Sequence, residues 1–448
     1  MEKELFEELT ALAANKEYRA LKEKLSELNK ADAAEFLESL PPKQLPVVFR
    51  TLHKEFAAEL FSYLAQETQE QLITTITDKE ASAIIDELYV DDAVDVLEEL
   101  PANVVKKLLQ HTSPETRRLI NQFLNYPEAS AGSIMTAEFV HLKKEMTVNQ
   151  AFERIRQVGL DSETVYTCYV TDANRRLEGV TTVRRLFLAD LDTLIGEIMD
   201  DDVIFVHTYD DREEAARIIS RYDFLSLPVV DQENRLVGII TIDDVMDVIQ
   251  EENTEDFERM AAMLPSQRPY LKTGVWELAK NRILWLLVLM ISAMITGSVL
   301  GHYQNLIQFM PILVTFIPML TGTGGNAGSQ SATMVIRGMA LDEIEGKDMG
   351  RVFWKELRVS LLVGTALALV NCIRLMITYP GEPMVYIIVS VSLVLTVALA
   401  KTIGGVLPIV AKLCKADPAI MASPLITTIV DAVSLIVYFS ISLKILGV

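Results

Sequence analysis

One carboxylate stands where a carboxylate is expensive. Asp431 lies inside the apolar run PLITTIVDAVSLIVYF, seven residues after Pro424, and that run holds no Lys or Arg to neutralise it. Within a hydrocarbon layer an ionised side chain costs a few kcal/mol and ordinarily faces a cavity or a partner. Thr427 and Thr428, four and three residues earlier, share its helix face. Two chemistries fit: a protonated acid hydrogen-bonded to another span, or a ligand for a cation in a pore. Mg²⁺ gives up water reluctantly and is held through one or two carboxylates with several waters retained. One Asp from each subunit of a dimer, facing a shared pore, would suit a largely hydrated Mg²⁺.

A second polar stretch interrupts apolar sequence at LTGTGGNAGSQSATMVIRGMA, Leu320 to Ala340. Gly322, Gly324, Gly325 and Gly328 permit either close helix approach or an unwound segment, and Asn326, Ser329, Gln330 and Ser331 supply polar groups at membrane depth. No Gly-Lys-Ser/Thr follows, so this is not a phosphate-binding loop. Elsewhere acids recur at helical spacing: Asp91 with Asp95, Asp243 with Asp247, Glu251 with Glu255. Like charges four residues apart destabilise a helix unless a counterion joins them. A solvated helix face is the plainer account of any single one. Cys168, Cys372 and Cys414 show no CxxC and no nearby His pair, which argues against zinc and against a disulfide framework.

The elements that must position these groups divide by charge near Pro269. Residues 272–448 hold 13 Lys and Arg against 9 Asp and Glu, whereas the preceding 271 residues hold 28 against 53. The later part contains apolar stretches of the length needed to cross a bilayer. We place five spans, near Ile283 to Gly301, Leu306 to Met334, Val359 to Thr378, Met384 to Ile409 and Pro418 to Leu446, with Gly and Pro interrupting the second and fourth. The opening MEKELFEELT does not read as a signal peptide. Lys272, Lys280 and Arg282 precede span one; Arg337, Lys347, Arg351, Lys355 and Arg358 separate spans two and three; Lys412 and Lys415 separate four and five. The other two loops hold no Lys or Arg, so the expected orientation is N-terminus in the cytosol and C-terminus outside.

Residues 1–130 read as short helices stacked in an all-α superhelix, with related phrases AAEFLESLPP and DAVDVLEELPA recurring. Residues 131–242 repeat an α+β unit: SIMTAEFVHL to LEGVTTVRRL, then EIMDDDVIFV to LVGIITIDDV. Residues 243–270 form a connecting helix crowded with Asp243, Asp244, Asp247, Glu251, Glu252, Glu255, Asp256 and Glu258 against Arg259. Residues 271–448 are the five-helix transmembrane domain.

The repeat resembles a tandem pair of CBS domains in its Met-Thr start and its LxGVTT/LVGIIT strand. With YPEASAGSIMT, the acidic connecting helix, GTGGNAGSQS and Asp431, the whole chain resembles the MgtE family of magnesium channels. The resemblance implies a homodimer in the cytoplasmic membrane, surrounded by lipid, with a Mg²⁺ pore between subunits and the connecting helix as a plug. It makes Asp431 the selectivity carboxylate, with Thr427, Thr428, Asn326, Gly325 and Gly328 lining the route. It gives Asp91, Asp95, Asp223, Asp244, Asp247, Glu252, Glu255 and Asp256 a regulatory role as holders of cytosolic Mg²⁺ that closes the pore. Asp417 joins them by resemblance, although Asp before Pro418 also reads as a helix cap. A CBS pair can hold an adenine nucleotide such as ATP; Tyr169, Arg184 and Phe224 would contact it, and each is equally at home in a CBS core. The expectation is a non-enzymatic Mg²⁺ channel without nucleic-acid partners. The nearest alternative is a coupled transporter of Mg²⁺, Co²⁺ or another divalent ion. A CBS-regulated intramembrane metalloprotease would need HExxH or a comparable ligand set, which is missing.

Overall fold

The computed structural model describes residues 3–98, 100–266, 270–271, 273–341, 343–421 and 423–447. Pro269 and Lys272 lie outside them. The chain divides into two compact units, Met1–Ile249 and Gln250–Val448.

The first unit opens with ten helices: α1 (Lys3–Ala14), α2 (Tyr18–Glu27), α3 (Lys30–Glu38), α4 (Leu45–Phe49), α5 (Lys54–Ser62), α6 (Gln66–Thr75), α7 (Asp78–Ile85), α8 (Val90–Glu98), α9 (Ala102–His111) and α10 (Pro114–Phe123). Several are opened by a side-chain cap or a Pro. The Asn29 and Ser113 side chains accept from the first-turn amides of α3 and α10, and Thr77 with Glu80 forms a reciprocal capping box on α7. Helices two apart in sequence pack together, α3 on α5, α5 on α7, α7 on α9, and likewise α4, α6, α8 and α10. Two parallel rows of this kind make the stacked superhelix.

Two α+β copies follow. The first is β1 (Phe139–Leu142), α11 (Val148–Val158), β2 (Thr164–Thr171), β3 (Leu177–Thr182), α12 (Val183–Leu188) and α13 (Ile195–Ile198); the second is β4 (Val206–His207), α14 (Arg212–Tyr222), β5 (Ser226–Val230), β6 (Leu236–Thr241) and α15 (Ile242–Met260). In each three-stranded sheet the first strand runs parallel to the second and the second antiparallel to the third. The Met-Thr lead of the first copy, however, pairs with the second: Thr136 and Ile239 exchange backbone hydrogen bonds of 2.8 and 2.9 Å. The Met-Asp lead of the second copy returns the exchange, Asp200 with Val180, at 2.8 Å in both directions. Glycine is required at the two crossings. A Cβ on Gly238 would stand 2.7 Å from Met135 Sδ, and one on Gly179 would stand 2.6 Å from Met199 Sδ.

The second unit holds the last half of α15, then α16 (Val275–His302), α17 (Gln304–Phe309), a 3₁₀ turn Pro311–Phe316, α18 (Ile317–Ala340), α19 (Met349–Thr378), α20 (Pro383–Leu413), a 3₁₀ turn Pro418–Met421 and α21 (Ser423–Leu446). Among the described residues four helical segments are long and apolar enough to cross a membrane: Val275–His302, Gly346–Thr378, Pro383–Leu413 and Pro418–Leu446. The expected second span corresponds to no single helix. Leu306 belongs to α17, and the long helix starts only at Ile317 because Pro311 and Pro318 reset the chain. The fourth stretch is one unbroken helix with Pro408 inside it. Lys280, Arg282, Arg351, Lys355 and Arg358 sit on the first turns of α16 and α19 rather than in loops.

The core of this unit is α18 packed on α20 and α21, with α19 against α20 and α16 against α21. α18 remains helical through its glycines, and they allow close approach. A Cβ on Gly404 would collide with the Gly328 carbonyl, and one on Gly324 would stand 2.8 Å from both Thr396 and Val430. This is the small-residue packing that joins helices where no water drives apolar surfaces together.

Candidate functional site

Asp431 falls on the third turn of α21, half-buried, and among the described residues no side chain donates a hydrogen bond to it or pairs with it. Thr427 and Thr428 stand on the same face. Both hydroxyls donate to the Pro424 carbonyl at 2.9 Å, leaving oxygen lone pairs free to accept. The Thr427 methyl group lies where a Gly325 Cβ would be, 2.9 Å away. Gly325 and Gly328, expected along an ion route, are buried between helices in the single chain. Asn326 is exposed on the other side of α18, with Gly322, Gln330, Thr333 and Arg337 along the same stripe.

A second constellation is built wholly in the first unit, where α8 meets the α+β pair. Asp91 and Asp92 open α8, and the first turn of α15 brings Asp243 and Asp244 close enough to act on their charge. Asp244 accepts from the Thr241 hydroxyl at 2.5 Å. Asp91 Oδ1 is buried with no hydrogen-bond partner. Burial, then the charge of Asp244, holds the Asp91 carboxyl well above its ordinary range. Burial, followed by the neighbouring acids, also pushes Asp92 up to about 6 and Glu163 up to about 7. Burial raises Asp244 to about 6 against the opposing Thr241 hydrogen bond. Glu138 adds its charge from the residue just before β1. Among the described residues no three His, Cys, Asp or Glu side chains converge to ligate an ion directly. An orphaned buried carboxylate oxygen amid like charges nonetheless matches what a hard, water-retaining divalent cation requires.

These shifts set a pH dependence. The folded form holds protons that the unfolded chain has lost, so the contribution to stability is complete below the ordinary carboxylate range. It disappears as pH rises through about 6 to 7. Glu80, held down at about 2 by Arg50, acts only at more acid pH. Thermal unfolding of the chelator-treated chain is expected at a higher temperature at pH 5 than at pH 7.5. A midpoint that rises over that interval would contradict the cluster's electrostatics.

The other expected acids separate. Asp95 is exposed on α8, Asp223 is an exposed left-handed C-cap of α14 at φ 54°, and Asp247 is exposed one turn beyond Asp244. Glu252, Glu255 and Asp256 are half-buried on α15. Arg259 pairs with both Glu255 and Asp417, so a protein cation stands between two acids each expected to have a regulatory Mg²⁺ role. Asp417 is also the cap read from sequence, accepting from the Ala419 amide at 2.8 Å. Tyr169 is wholly buried, its hydroxyl 2.7 Å from Ser226, in the core position that is the other reading of this residue. Arg184 is exposed, and Phe224 stacks on Tyr222. Sequence reading missed Asp92, Glu138 and Glu163, whose positions follow no shared period. It also missed Lys401, which is buried within α20.

The family model described as "Divalent cation transporter" matches residues 317–441, the "MgtE intracellular N domain" matches 28–129, and the CBS domain matches 131–192 and 195–251. The chain is 36% identical over 446 residues to the magnesium transporter MgtE of Thermus thermophilus, covering 99% of this chain and 98% of that one. It is 30% identical over 439 residues to the Bacillus subtilis protein of the same name, with coverage of 98% and 97%. Among solved structures it resembles the cytosolic domain of the Mg²⁺ channel MgtE in complex with ATP, at 38% identity and TM-score 0.51, over 54% of this chain and 98% of that one. It also resembles the soluble part of a magnesium transporter at 33% identity and TM-score 0.54, over 56% and 98%.

Proposed function

The chain belongs to the MgtE family of magnesium transporters, and on that premise we propose that it is a Mg²⁺ channel of the cytoplasmic membrane, closed by cytosolic Mg²⁺. The observation that carries the reading is Asp431, a carboxylate without a partner among the described residues, in an apolar helix beside two hydroxyls. A second copy would bring a second Asp431 to the same route, and the polar stripe of α18 would face it. α18 then serves as the fifth span. It is 24 residues long, enough to cross about 30 Å of hydrocarbon, and its polarity suits a pore wall better than lipid. The N-terminus is cytosolic and the C-terminus outside.

Regulation belongs to the acidic cluster. With Asp91, Asp92, Glu138, Glu163, Asp243 and Asp244 ionised, α8 and the α+β pair repel; Mg²⁺ among them would supply the countercharge that holds them together. Asp95 and Asp247, on the exposed faces of α8 and α15, would add outer, water-mediated contacts, and Asp223 would act apart from them. α15 begins in this cluster and ends at Arg259, tied to Asp417 at the entrance of α21, so it is the element that can act as a plug. ATP, which the solved relative binds, would occupy the CBS pair near Arg184 and Phe224.

Patch recordings across a Mg²⁺ gradient test the channel reading. Currents should reverse at the Mg²⁺ equilibrium potential and diminish as internal Mg²⁺ rises. A strict requirement for a Na⁺ or H⁺ gradient would replace the channel with a coupled transporter.

A further inference from the structure

Lys401 lies eighteen residues into α20, is 6% exposed, and has one hydrogen-bond partner among the described residues, the Ser331 hydroxyl of α18 at 3.3 Å. Ser331 is itself 2% exposed, and its hydroxyl donates to Glu356 Oε2 of α19 at 2.6 Å. The direction of the chain is fixed, since an ammonium can only donate and a carboxylate can only accept. Glu356 reaches this position along a slot made by Gly405, four residues after Lys401, where a Cβ would stand 2.9 Å from Glu356 Cγ. A buried ammonium and a carboxylate bridged by one hydroxyl therefore join three helices, with the ammonium inside an apolar span. Such groups are costly there and are retained where they do something.

We infer that Lys401, Ser331 and Glu356 are positioning residues for ion passage, setting the rotation of α18 and hence the aim of its exposed polar stripe. The reasoning begins with the packing face of α18. Over its middle Gly324, Gly325, Ala327, Gly328 and Ala332 are buried, and such a stretch allows close approach with few side chains to resist rotation, the larger Leu320, Val335, Ile336 and Met339 being buried toward its ends. The relay supplies a directional contact that the small residues lack. At 3.6 residues per turn, Asn326 lies roughly 140° around the helix from Ser331, so a modest rotation at the relay swings the stripe sideways on the far face.

The inference rests on the transport reading above, and the test separates the two. Full-length protein in lipid vesicles is assayed for Mg²⁺ flux per assembled molecule and for the ratio of Mg²⁺ to Ca²⁺ flux. Ser331→Ala removes the hydroxyl and little volume; it should lower Mg²⁺ flux roughly three- to tenfold, as expected for one interhelical hydrogen bond in a membrane, and lower the ratio. Ser331→Thr keeps the hydroxyl and should restore both. Lys401→Met and Glu356→Gln should each resemble Ser331→Ala, and adding Lys401→Met to Ser331→Ala should cost nothing further. Wild-type flux and ratio in Ser331→Ala overturn the relay. So does a loss confined to the amount of assembled protein with both values unchanged per molecule. A wild-type chain that passes no Mg²⁺ refutes the transport reading instead.

Discussion

Replacing Asp431 with Ala or Asn is expected to abolish Mg²⁺ flux while leaving the protein assembled. Attraction between one carboxylate and a hydrated divalent ion in a partly shielded site is on the order of 3 kcal/mol or more. Its loss corresponds to at least about a hundredfold in site occupancy. Asp431→Asn is the sharper variant, since it keeps size and hydrogen-bonding capacity and removes only the charge. Because no described side chain pairs with Asp431, neither substitution strands a buried partner, and the folded bundle should survive. Flux is measured in vesicles with an internal Mg²⁺ indicator, and assembly by size-exclusion chromatography. Wild-type flux in Asp431→Asn would remove the pore assignment, and a variant that fails to assemble would mark the acid as a structural hydrogen-bonding group.

The second large effect is expected at the regulatory cluster. Asp91→Asn with Asp244→Asn should leave currents open at internal Mg²⁺ concentrations that close the unmodified channel. Each amide removes a charge that an ion would otherwise neutralise, and the pair takes one from α8 and one from the start of α15. The same variant should be more stable than the parent in chelator at neutral pH, because both carboxyls are held above their ordinary range by burial and by each other. Opposite signs for closure and stability distinguish an ion sensor from ordinary core damage. Unchanged closure by Mg²⁺ would count against the sensor.

Much of this was legible in sequence because it is local. A period of two or of three to four residues marks strands and helices, and duplicated phrases mark the CBS pair. The placement of Thr427, Thr428 and Asp431 on one face needs only helix geometry. What escaped depends on contacts between distant residues. Arg259 meets Asp417 across 158 residues, and nothing in either neighbourhood announces the other. Lys401 is a single cation in an apolar run, and only the fold brings Ser331 and Glu356 to it. The glycines of α18 left two local readings open, close approach or unwinding. The Gly328–Gly404 crossing decides between them, and periodicity does not report a crossing.

The exchange of lead segments between the CBS copies also constrains how this part of the chain deforms. The lead segment of each copy bridges to the last strand of the other, so neither is a module in the mechanical sense. Peeling one away would leave the survivor with an open edge of unpaired amides and carbonyls. The two therefore share one opening equilibrium and yield to load as one clasp with two hooks. A pull applied through α15 at the end of the second copy reaches the first through Thr136 and Asp200, and the pair behaves as one lever rather than as two beads on a string.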